Sequence, residues 1–80
     1  MKKETEIQKL KKMINDIFDN DIDYLYSVVR TNLTTGEKKV TTLRGLKEWI
    51  DSDLLSDYFK SYSQLSGRVL IGNTLYNIIS

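Results

Sequence analysis

The chain has 80 residues, a net charge of +1, 40% hydrophobic and 29% charged residues, which is enough apolar content for one small core. It contains neither cysteine nor histidine, which closes off disulfide staples, thiolate metal sites and imidazole-dependent catalysis. A charge this near neutral sets up no global field toward nucleic acid or membrane, and no apolar run approaches the roughly 18 residues of a membrane span.

The opening MKKETEIQKL places Glu4 and Glu6 where an export signal needs an apolar stretch, which predicts a cytoplasmic protein. Proline is absent, and lysine, isoleucine, asparagine, aspartate and tyrosine are heavily used, a bias common in low-GC bacteria and their phages. Residues 4–18 predict a helix: Ile7, Leu10, Ile14 and Ile17 form one stripe with Met13 and Phe18 beside it, while Lys9, Lys11 and Lys12 face away. Thr5 is the candidate cap, and the helix should stop at Asp19-Asn20-Asp21, where Asn20 tolerates a left-handed conformation.

YLYSVVRTNL, from Tyr24 to Leu33, is β-branched and aromatic and predicts a strand. Thr34-Thr35-Gly36 then reads as a hairpin loop, and Lys38 to Thr42 as the returning strand. Pairing Leu33 with Glu37 would set Arg30 opposite Val40 and Val28 opposite Thr42; both faces are partly apolar, so the pattern does not choose the buried one. A second helix starts from Thr41 or Thr42 as cap and runs to Ile50, with Gly45 inside it at a cost of about 1 kcal/mol relative to alanine. Asp51 or Ser52 would cap a third helix over residues 53–64, DLLSDYFKSYSQ, in which Leu54, Leu55, Tyr58, Phe59 and Tyr62 recur at spacings of three and four. Ser66-Gly67 stops it. Arg68 to Ile71 and Thr74 to Ile79 form a second hairpin about Gly72-Asn73, with Leu70 facing Leu75 and Val69 facing Tyr76. The predicted order is αββααββ: one α+β domain over 1–80, with an amphipathic helix at 1–20 and a hairpin–helix–helix–hairpin unit at 24–79.

Asp19, Asp21 and Asp23 give the opening of a calcium loop, but such a loop needs glycine at its sixth position and glutamate at its twelfth. Tyr24 and Arg30 stand there, so no metal is expected. Gly36, Gly45, Gly67 and Gly72 are scattered singly and build no phosphate loop, and neither a cofactor nor catalysis is expected. Charge falls in alternating basic and acidic blocks, and five tyrosines exceed what a small core absorbs. These features predict a protein-binding surface at Tyr24, Tyr26, Arg30, Lys38 and Lys39, with the turn of Asp19, Asp21 and Asp23 as a second candidate. The first helix offers a stripe through which two copies could pair as a homodimer.

The stretches TTGEKKVTTLRGLKEWI and SGRVLIGNTLY resemble a loose class of small hairpin–helix–turn–helix–hairpin proteins of phages and mobile elements. The missing catalytic chemistry, surplus tyrosines, segregated charge and small size predict a non-catalytic inhibitor of anti-defence type that occupies a surface of a host protein, and the resemblance implies its origin in a phage or mobile element. The resemblance also implies an alternative, a DNA-binding regulator using a helix-turn-helix-like pair at 42–64. Its contacts would be Lys38, Lys39, Arg44, Lys47, Ser56, Lys60, Ser63, Gln64 and Arg68. Against that alternative, the helix that would enter the groove carries Asp53 and Asp57 against Lys60 alone, and carboxylates facing phosphates weaken binding.

Overall fold

The structure, a computed structural model, describes residues 2–52 and 54–80, with side chains from residue 6 onward. Helix α1 (Lys2–Asp19) buries Ile7, Leu10, Ile14 and Ile17, the stripe its spacing predicts. It begins before Thr5, which lies inside the helix and is not its cap. At its other end the Ile22 N–H donates to the Ile17 carbonyl and the Asp21 N–H to that of Phe18, a Schellman closure. The residue that turns left-handed there is Asp21 (φ 55°), one position beyond Asn20, whose side chain instead donates back to the Asp16 carbonyl.

A 3-10 turn at Asp23–Leu25 delays the first strand, so β1 is Ser27–Asn32 and Tyr24 lies outside it. The return strand β2 (Lys38–Thr42) pairs with Val28 opposite Thr41 and Arg30 opposite Lys39, one residue from the expected register. Asn32 causes the slip. Its Oδ1 accepts from the Thr34 and Thr35 N–H groups and its carbonyl from the Gly36 N–H, which lengthens the loop to residues 33–36. Thr42 then caps α2 (Leu43–Ile50), its Oγ1 accepting from the Gly45 N–H, as expected.

The predicted third helix is corrected. Only Leu55–Tyr58 is helical (α3), and the chain straightens at once into β3 (Phe59–Ser63). Asp53, its expected first residue, lies outside the described residues. The helical spacing is reproduced by a bulge: between Phe59 and Ser61 the register shifts by one, with Lys60 as the extra residue. Phe59 and Tyr62, three apart, thereby share the inner face of a strand, where regular pleating would send them to opposite faces. The final hairpin forms as read, β4 (Arg68–Ile71) with β5 (Thr74–Ile79), Val69 opposite Tyr76 and Leu70 opposite Leu75.

The five strands make one antiparallel sheet in the order β2-β1-β5-β4-β3, so the last strand lies between the two hairpin halves. Helices cover one face. Val28, Phe59, Val69 and Ile71 from the sheet meet the α1 stripe, Leu43, Leu46 and Ile50 of α2, and Leu55 of α3 in one apolar cluster. The α+β class holds, with the order extended by one strand. The apolar stripe of α1 is consumed by this cluster, which withdraws it as the pairing surface of a homodimer.

Candidate protein-interaction site

The β1–β2 hairpin carries the predicted cations, and strand alternation divides them between two faces. Lys38 points to the helix-free face, whereas Arg30 and Lys39, paired across the strands, lie on the helix-bearing face beyond the end of its cover. Arg68, on β4, joins Lys38 on the helix-free face.

The register fixes what the helix-free face presents. One row across the sheet reads Val40, Val29, Asn77, Arg68, Ser63; the next reads Lys38, Thr31, Leu75, Leu70, Ser61; Thr42, Ser27 and Ile79 flank them. Val40 is 74% exposed and Ile79 45%, and Val29, Leu70 and Leu75 are half-buried only by their neighbours in the sheet. An apolar band thus lies open, bordered by two cations and, among the described residues of these strands, by no carboxylate side chain. The sequence does not mark Val29, Val40, Leu70 and Leu75 as open, because both faces of the first hairpin are partly apolar and the cover over either hairpin depends on where the helices settle.

The other expected contacts are dispersed. Tyr24 is 77% exposed in the 3-10 turn, while Tyr26 packs against the core. Together with Asp23 and Arg44 they border a groove of about 390 Å³ at the α2 end of the hairpin. Asp19 and Asp21 are exposed at the closure of α1, and among the described residues no acidic group of three comes together to hold a metal ion.

The expected nucleic-acid residues are divided among separate surfaces. With β3 in place of the second half of the third helix, the second member of the expected helix pair is a single turn, so Ser56, Lys60, Ser63 and Gln64 do not share one helical groove-reading face. Arg44 and Lys47 each lie 5.8 Å from the centroid of the Phe18 ring, and Lys47 also pairs with Asp51. Both cations tie α2 to the end of α1.

On the helix-bearing face a cleft follows the sheet beyond α2. One lobe, of about 230 Å³, is polar and lined by Arg30, Asn32, Thr35, Glu37, Lys39 and Thr74. The adjoining lobe, of about 290 Å³, is lined by Arg30, Thr41, Gly45, Leu46, Trp49 and Tyr76. Lys39 reaches Glu37 at 3.3 Å, an exposed pair that contributes little. Arg30 has no carboxylate within 4.0 Å among the described residues. The Nε1 of Trp49 is buried without an acceptor among the described residues, an arrangement that costs about 1–3 kcal/mol.

No helix among the described residues is long and apolar enough to cross a membrane. Comparison with protein families, with curated proteins and with solved structures finds no match.

Proposed function

We propose that the protein is a non-catalytic binding module that occupies a surface of another protein through the helix-free face of its sheet. The observation that carries this reading is the open band of Val29, Val40, Leu70 and Leu75 with Lys38 and Arg68 at its borders. Apolar surface left without a covering layer gains free energy from any complementary partner, roughly 25 cal/mol per Å² removed from water. The two cations choose that partner. A second copy docked face to face by a two-fold axis would bring Lys38 and Arg68 against an identical face that offers no carboxylate. Two isolated cations are also too few to track a phosphate backbone. The surface fits an apolar patch of another protein edged with aspartate or glutamate. Occupying that patch would inhibit a host factor, and the resemblance described above supports an origin in a phage or mobile element.

The test is affinity capture from a bacterial lysate with the wild-type chain and with a Val29→Glu, Leu75→Glu double variant. The expected result is a protein retained by the wild type, lost on the variant and released by salt, while the variant unfolds at the wild-type urea midpoint. Equal retention by both chains removes the face from the mechanism. Micromolar binding to duplex DNA that weakens steeply with salt replaces the reading with a nucleic-acid one.

A further inference from the structure

The cleft on the helix-bearing face lies opposite the proposed docking surface and plays no part in it. Its chemistry is graded along its length. At one end the Arg30 guanidinium, which has no carboxylate within 4.0 Å among the described residues, stands beside Lys39, and Glu37, which also lines this lobe, is held 3.3 Å from the Lys39 ammonium. Asn32 adds a donor: its oxygen is committed to the loop, so the amide presents its NH2 group. Thr74 adds a hydroxyl. At the other end the walls are aromatic, with Trp49 on α2 and Tyr76 on β5. Arg30 borders both lobes, so a ligand held there spans cation and ring together.

Two further features sit in the aromatic lobe. Trp49 lines this lobe, and its N–H is buried with no acceptor among the described residues. Gly45 stands in the first turn of α2, where alanine or a longer residue would favour the helix more. A Cβ there would approach the Thr41 hydroxyl at 3.2 Å, and any longer side chain would occupy the lobe. Glycine at this position keeps the space open.

We propose that this cleft binds a small planar ring carrying one anionic group, with the anion at Arg30, Lys39 and Asn32 and the ring against Trp49 and Tyr76. A nucleoside monophosphate is the simplest ligand of that class. Arginine gives the anion charge-assisted hydrogen bonds, and aromatic walls accept any flat ring.

Trp49 is the only tryptophan, so a single indole N–H resonance reports on the site. The experiment is an NMR titration of the full chain with adenosine monophosphate. Parallel arms use adenosine, inorganic phosphate and a short single-stranded oligonucleotide. The expected result is a saturable shift of the Trp49 indole signal with the mononucleotide at millimolar concentration or below, and affinity weaker by about tenfold or more in Arg30→Gln. Gly45→Gln should remove the shift while the chain keeps a cooperative urea transition, which separates loss of the site from loss of the fold. Adenosine or phosphate binding as well as the mononucleotide overturns the proposal, as does an unaffected Arg30→Gln. Tighter binding of the oligonucleotide overturns assignment to a free small ligand. The Val29→Glu, Leu75→Glu variant should titrate like wild type, so docking and ligand binding fail independently.

Discussion

Gly67→Ala is the perturbation that most directly tests how the sheet is assembled. Gly67 precedes β4 in a left-handed conformation (φ 62°), and its carbonyl accepts from the Ile78 N–H at 2.7 Å. An added Cβ would lie 2.8 Å from the Ile78 carbonyl oxygen, which is backbone of β5 and cannot swing aside as a side chain would. The left-handed conformation costs a residue with a Cβ about 1–2 kcal/mol. Displacing Ile78 forfeits much of a hydrogen bond, about 1 kcal/mol. Stiffening of the unfolded chain returns about 0.4–1 kcal/mol. The net is a destabilisation of about 2 kcal/mol, or roughly 8–16 °C in Tm for a domain of this size. Gly36→Ala supplies the control, because Gly36 is also left-handed (φ 76°) but nothing lies within 4 Å of its added Cβ. Urea unfolding followed by Trp49 fluorescence measures both variants, and the control should lose about 1 kcal/mol or less. Gly67→Asn, which tolerates the left-handed conformation but retains the Cβ, should recover part of the loss and keep the share due to the close approach. If Gly67→Ala and Gly36→Ala fall within about 0.5 kcal/mol of one another, the close approach to Ile78 carries no energy and the reasoning fails.

Thr42→Ala should cost about 1 kcal/mol in urea unfolding, since it deletes the acceptor of the Gly45 N–H at the start of α2; an unchanged midpoint would show that solvent substitutes for the cap. Burial pushes the Tyr62 phenol above its ordinary value of 10.0, so the folded chain holds that proton more tightly than the unfolded one. The stability this supplies is complete below pH 10 and is lost as pH rises through the elevated value. Denaturation midpoints measured at increasing alkalinity should fall more steeply for wild type than for Tyr62→Phe, and parallel slopes would contradict the assignment.

Local chemistry announced some elements completely. Gly72-Asn73 between two apolar runs specifies the β4–β5 hairpin together with its register, because a two-residue turn leaves no freedom in pairing. Thr42 as cap and the stripe Leu43, Leu46, Ile50 specify α2 in the same way. Two misreadings have local causes as well. The Asn32 amide extends the first loop by one residue, and a one-residue slip moves Val40 from its expected partner Arg30 to Val29, on the opposite face. The bulge at Lys60 lets Phe59 and Tyr62 imitate helical periodicity on a strand.

The remaining features are not local. That Val28 rather than Val29 is buried depends on where α1 and α2 settle, and that placement is decided by contacts across the whole chain. Pairing of β1 with β5 joins Arg30 to Tyr76, residues that no window of sequence brings together. Part of the candidate site was therefore visible, Lys38 above all. The apolar band around it and the cleft behind it emerge only once the strands are ordered.

That order has a temporal consequence. β5 hydrogen-bonds to β1 on one side and β4 on the other, so until it is placed the sheet exists as two separate ribbons. Two-stranded ribbons are marginal in water, and joining them means closing the long excursion between Ser27 and Ile79. Maturation of this chain is thus a late, all-at-once event paced by its most distant partners, slower than a helical chain of equal size would require.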